Sequence, residues 1–231
     1  MKFEFAQKKA VVIGGSGGIG KNISEKLLEA DVSVCSIGRH VVPGTDSLII
    51  DLDDRQNRDI VITSVQEADI LCIVRGPFLQ KSVELTDSEE WEYMTYANLA
   101  FPGMLISAAL PRMNKNHWGR ILVLGGTRTD TVRGFRTNAA YAAAKTGLSS
   151  LVKSVAAEYA DRGITCNGIS PGFVETEYIS EKQKAELAAK NPDGRLISVS
   201  DVAETAIFLL KMAAINGVIL TVDKGWRPLL I

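Results

Sequence analysis

The sequence is poor in the residues that metal centres and disulfide frameworks need. It has two histidines, His40 and His117, and three cysteines, Cys35, Cys72 and Cys166, all far apart. Two separated imidazoles give no metal-ligand spacing. An odd number of dispersed thiols, each inside an apolar run that reads as a strand, argues against a disulfide scaffold. It fits buried free thiols in a reducing cytoplasm. An excess of charge of one sign is also lacking. Twenty-six Lys and Arg against 27 Asp and Glu leave a net charge of −1, which speaks against a dedicated nucleic-acid binder. No apolar run approaches ~18 residues, so no membrane span is expected. The opening MKFEFAQKK lacks the apolar core of a signal peptide. What remains is an ordinary globular composition, 46% hydrophobic and 23% charged over 231 residues. That length can bury roughly 70–75% of the unfolded surface.

Short β-branched runs alternate with helical spacing. Candidate strands lie at 9–14, 32–37, 47–50, 70–74, 120–125, 164–169 and 217–222. Between them, Ile19, Ile23, Leu27 and Leu28, and later Val202, Ala206, Leu209 and Leu210, recur at helical intervals. Thr86 with Glu89 has capping-box spacing ahead of a long helical region at 87–113, and Ser200 stands as a cap for a later helix. Repeated β-α alternation predicts an α/β fold, a doubly wound parallel sheet of about seven strands with helices on both faces. The connection GRHVVPGTD is too short for a full helix and reads as a loop. With no linker and no repeat, one domain over 1–231 is expected, with a substrate loop at about 175–200.

GGSGGIG, residues 14–20, directly follows the first strand. Residues without side chains let backbone approach a pyrophosphate, and the helix that follows offers it unpaired N–H groups. The alternative is a plain tight turn. At the end of the second strand, where a cofactor with a free 2′-hydroxyl wants an acid, stand Gly38 and Arg39. An arginine there matches a 2′-phosphate and favours NADP(H), with NAD(H) as the alternative; it could also be a solvated surface residue. Asp51 follows the third strand and reads equally as an adenine contact or a cap. Tyr141 and Lys145 lie four apart in an alanine-rich helix. An ammonium there should lower the tyrosine pKa from ~10 and make it an acid–base group. Gly14, Arg39, Asp51, Gly76, Thr127 and the pair Pro171–Gly172 each follow a different predicted strand. All therefore fall on the sheet edge where open α/β sheets bind ligands.

Taken together, GGSGGIG, Asp51, Asn98 in YANL, Tyr141 with Lys145, NGISPGFVET at 167–176 and VDKGW at 222–226 resemble the short-chain dehydrogenase/reductase family. The likeness covers roughly residues 8 to 226, and NPDGRLISVSDVAETAIFLL is similar to the same region of 3-oxoacyl-[acyl-carrier-protein] reductases. The resemblance implies a Rossmann-type fold and hydride transfer between nicotinamide and a carbonyl or alcohol. It implies a dinucleotide along Gly14, Ser16, Gly17, Gly18, Ile19 and Gly20, over Arg39, Asp51 and Leu52, and past Gly76. The nicotinamide end would lie at Tyr141, Lys145, Pro171, Gly172, Val174 and Thr176. Tyr141 would protonate the carbonyl oxygen, Lys145 would hold the ribose, and Asn98 would hold a water of the proton relay. A homodimer or homotetramer is also implied, through the helices at 87–113 and 138–161.

Three departures stand out. Ile73, Val74 and Arg75 replace the family's usual residues before Gly76, and Gly125–Gly126 stand where a serine pair is common. The loop to Tyr141 is about two residues longer than usual, which leaves Thr127, with Thr129 further out, as the substitute hydroxyl. The expected function is an NADP(H)-dependent oxidoreductase of a small molecule, a 3-oxoacyl thioester or another small ketone. Arg75, Arg128, Arg133 and Arg136 either attract an anionic or acyl-carrier-linked substrate or are solvated. The competing reading is a non-catalytic nucleotide-binding sensor or interaction protein, favoured by the missing serine.

Overall fold

A computed structural model describes residues 5–226. The described strands are β1 (Lys9–Ile13), β2 (Ser33–Gly38), β3 (Asp46–Ile49), β4 (Ile70–Ile73), β5 (Gly119–Leu124), β6 (Ile164–Pro171) and β7 (Ile219–Val222). The described helices are α1 (Gly18–Glu29), α2 (Arg58–Val65), α3 (Ser88–Thr95), α4 (Phe101–Lys115), α5 (Ala139–Tyr159), α6 (Glu181–Ala188) and α7 (Val199–Lys211). The strands form one parallel sheet in the order β3-β2-β1-β4-β5-β6-β7. The expected α/β sheet is found, with each strand at its predicted place to within three residues.

The side-chain alternation of the central strands explains the layers. On β1, Val11 and Ile13 face one core and Ala10 and Val12 the other. Leu71 and Ile73 of β4 and Ile121 and Val123 of β5 join the first core; Ile70, Cys72, Leu122 and Leu124 join the second. Buried on both faces, these strands read as continuous apolar runs. Leu105, Ile106 and Met113 of α4, Leu148 and Val152 of α5, and Val61 and Val65 of α2 cover the first face. Ile23 and Leu27 of α1 with Val202, Ala206 and Leu209 of α7 cover the second. Each fully buried aliphatic side chain contributes roughly 1.5–3 kcal/mol.

Two caps differ from expectation by one or two residues. The box ahead of α3 is Asp87 with Glu90, each side chain bonded to the other's backbone N–H, while Thr86 donates to Ser82 O. The carboxylate wins because an anion gains more from the helix N-terminus than a hydroxyl does. Ser198 with Asp201, rather than Ser200, caps α7. The long helix expected at 87–113 is interrupted: Tyr96–Ala100 form a π-turn between α3 and α4, with Asn98 inside it. Among the described residues no helix is long and apolar enough to cross a membrane.

Candidate active site

Strand order reverses between β1 and β4, so the loops leaving these strands diverge and open a cleft. The cleft measures about 400 Å³ and is lined by the 14–20 loop, Gly38, Arg39, Asp51, Leu52, Gly76 and Thr176 among others. The loop is glycine for physical reasons. Gly14 has φ 78° and faces the Arg75 backbone, and a Cβ on Gly20 would overlap the Gly14 carbonyl. A Cβ on Gly38 would overlap Ser16 Oγ, which accepts from Arg39 N at 3.0 Å. These residues form a bare-backbone floor at the start of α1, which has no side-chain N-cap of its own. That shape fits a dinucleotide's diphosphate. Asp51 Oδ1 accepts from Asp53 N at 2.9 Å, whereas Asp54 caps the short turn that follows.

Beyond Gly76 at the rim of the cleft, α5 presents Tyr141 and Lys145. Lys145 is 2% exposed and donates from Nζ to Leu124 O at 2.6 Å. Burial, aided by the Arg75 guanidinium, pushes it down to about 7. Burial pushes Tyr141 up to about 12. The expectation that Lys145 lowers the phenol is therefore overturned. Its Nζ lies 6.0 Å from the ring centroid and is engaged by a carbonyl, and desolvation outweighs so distant a charge. Asn98 is fully buried. Its Nδ2 donates to Pro77 O at 3.1 Å, and its Oδ1 has no partner among the described residues. A Cβ on Gly76 would meet Lys145 Nζ at 2.6 Å and Asn98 Oδ1 at 3.0 Å, so all three converge on one spot.

Gly126 stands beside the phenol. A Cβ there would lie 3.0 Å from the Tyr141 hydroxyl and 3.1 Å from Thr129 Cγ2. Thr129 Oγ1 is buried and bonds both the N–H and the C=O of Gly126. Thr127, expected as the helper hydroxyl, donates to Pro171 O at 2.8 Å, so its proton is engaged elsewhere. Phe78 packs edge-on against Tyr141 with centroids 5.0 Å apart. Val174 forms a bridge to Ile197 at the base of the 175–200 segment.

The family model described as Enoyl-(Acyl carrier protein) reductase matches residues 15–227. The chain is 32% identical to the 3-oxoacyl-[acyl-carrier-protein] reductase FabG of Escherichia coli (strain K12), over 96% of this chain and 98% of that one. It belongs to the short-chain dehydrogenase/reductase family. An uncharacterized oxidoreductase of Bacillus subtilis, YmfI, is 30% identical over 95% of this chain and 99% of its own. A solved structure from Beutenbergia cavernae superposes with a TM-score of 0.86 at 27% identity, covering 98% of this chain and 99% of that one. That protein is described as a putative NAD(P)-dependent gluconate 5-dehydrogenase with bound NADP at low occupancy. Membership makes this chain an oxidoreductase acting between CH–OH and C=O groups with a nicotinamide dinucleotide.

As a short-chain dehydrogenase/reductase, the chain carries three residues at or beside the cleft that the sequence did not connect with the cofactor. Arg75 bonds Asp53 and Tyr93 beside the cleft. Glu177 accepts from Gly18 N at 2.8 Å, and Tyr178 lies over Gly17. Arg75 was visible as a bulky departure. Glu177 and Tyr178 carried no signal, because their contacts span about 160 positions of sequence and arise only when the segment folds back. Of the other arginines, Arg128 bonds Trp226 O and lies over its ring, while Arg133 and Arg136 are exposed.

Proposed function

We propose that the protein is an NADP(H)-dependent reductase of a small ketone, a 3-oxoacyl thioester being one candidate, working through Tyr141, Lys145 and Asn98. The observation that carries the reading is the meeting of Lys145 Nζ and Asn98 Oδ1 at Gly76, on the rim of a glycine-floored cleft, with Tyr141 one turn before Lys145 on α5. Bound there, the nicotinamide would supply or accept the hydride. The chain's own residues handle the proton. Tyr141, held neutral by burial, gives its O–H proton to the carbonyl oxygen in reduction. Lys145 in its charged form favours the phenolate left behind. Asn98 Oδ1, a buried acceptor without a partner among the described residues, positions the next hydrogen of the path. Thr127 fixes the Pro171–Thr176 segment through its bond to Pro171 O and keeps its lone pairs free to accept.

At the adenosine end, Ser16, Gly17, Gly18 and Ile19 take the diphosphate, Leu52 and Asp51 border the adenine, and Arg39 reads the 2′-phosphate. The NADP recorded in the Beutenbergia relative supports this choice. Turnover of NADPH and NADH with a panel of ketones and 3-oxoacyl thioesters tests the reading. Tyr141→Phe should abolish turnover and keep NADPH affinity, and Arg39→Ala should erase the preference for NADPH. Tight NADPH binding with no turnover of any substrate would favour the sensor reading instead. Gly126 in place of a serine is the observation that keeps that alternative in view.

A further inference from the structure

The start of α1 is an unusual helix terminus. Its N-cap is Gly17, with no side-chain cap, and its first turn holds no acid. The missing anion comes from a distant segment. Glu177 Oε1 accepts from Gly18 N at 2.8 Å, and a Cβ on Gly17 would overlap the Tyr178 hydroxyl. Tyr178 lies near both Glu177 and Arg39, and both act on its hydroxyl, which burial pushes above the usual phenol value. The two side chains thus cover the three elements expected to read the dinucleotide's anionic groups: the glycine backbone, the α1 amide and Arg39.

We propose that Glu177 and Tyr178 form an internal stand-in for the dinucleotide, and that cofactor binding displaces the Glu177 carboxylate from the Gly18 amide. The inference rests on the cleft being the dinucleotide site. An anion and a diphosphate cannot share one N–H donor, so the two compete directly. The segment is built for local release. It is anchored on one side by the Val174–Ile197 bridge and on the other by Ser180, which caps α6. Between them both Glu177 and Tyr178 are exposed. Glu175 is tied to Lys184 at 3.2 Å, so the hinge lies within 176–179. Burial opposes the charge on Glu177, but its own backbone N–H, the Gly18 N–H, Tyr178 and Lys21 together hold the carboxyl below the usual range. The competitor is therefore ionised at neutral pH.

The test is calorimetric titration of wild type, Glu177→Gln and Glu177→Ala with NADPH, with 2′-phospho-ADP-ribose and with adenosine 2′-monophosphate. Glu177 is exposed, so both variants should fold. Both should bind the two diphosphate-bearing ligands about three- to tenfold more tightly, the scale of losing one solvent-exposed charge-assisted hydrogen bond. Affinity for adenosine 2′-monophosphate should not change. Equal or weaker diphosphate binding in the variants, with wild type binding NADPH, would overturn the inference alone. An equal gain for the monophosphate would also overturn it, since general loosening would then be the cause. If neither wild type nor variant bound any dinucleotide, the reading of the cleft would fall and take the inference with it.

Discussion

Lys145 offers a stability measurement that needs neither cofactor nor substrate. Its folded pKa of about 7 lies well below the unfolded value of ~10.4. Between pH 7 and 10 the unfolded chain keeps the proton and the native state has shed it. Stability therefore rises with pH through that window, and the cost of the buried charge is fully present below pH 7. At a slope approaching ~1.36 kcal/mol per unit, with the native group still half protonated at pH 7, the gain from pH 7 to 9 is about 2 kcal/mol. Burial raises the thiols of Cys35, Cys72 and Cys166, which pull stability the other way above about pH 8. The wild-type curve alone could therefore look flat. Lys145→Met removes only the lysine contribution and leaves the cysteines in place. Urea unfolding of both proteins at half-unit steps from pH 6.5 to 9 isolates it. The difference in stability should move by about 2 kcal/mol in favour of wild type as pH rises. A constant offset arises from Leu124 O, which loses its donor in the variant, and it does not vary with pH. Parallel curves would show that the ammonium is charged across this range, and the account of a desolvated lysine would be wrong.

Two further outcomes are expected. Gly126→Ser should not restore a family-like site, because its Cβ would press on the Tyr141 ring and Thr129. A stability loss of about 1–3 kcal/mol with lowered kcat is expected, and a variant as stable as wild type with faster turnover would refute the crowding. The outer surfaces of α4 and α5 should join copies into a homodimer or homotetramer, with Met104, 40% exposed, at the contact. Sedimentation equilibrium at micromolar protein that gave only the 25.0 kDa chain would contradict this.

The fold was legible because the central strands are buried on both faces and therefore show as apolar runs at 10–13, 70–73 and 121–124. The cleft's floor was legible too, since close backbone approach leaves glycine little competition at Gly14 and Gly20. Harder to read were quantities set by three-dimensional surroundings. The direction of the Tyr141 shift depended on how much water the ring loses, which i, i+4 spacing does not encode. The bond from Thr127 depended on where Pro171 lies, 44 residues away. The π-turn at Tyr96–Ala100 was hidden because its residues suit an ordinary helix, and a single extra residue per turn leaves little compositional trace.

That π-turn bears on how the chain can change length over evolutionary time. Loops on the surface usually absorb insertions and deletions first, and helices resist them. Here a helical stretch already contains one residue more than regular winding requires. Losing a residue from Tyr96–Ala100 would return the stretch to ordinary winding at little cost to the backbone, and the helices on either side would keep their facing, because the wide turn holds its extra residue within itself. The apolar face of α4 would keep its present neighbours, whereas Asn98, inside the turn, would be drawn away from Gly76 and Lys145. Homologues that have lost this one position are thus expected to keep a well-packed sheet while carrying a different polar group opposite the lysine.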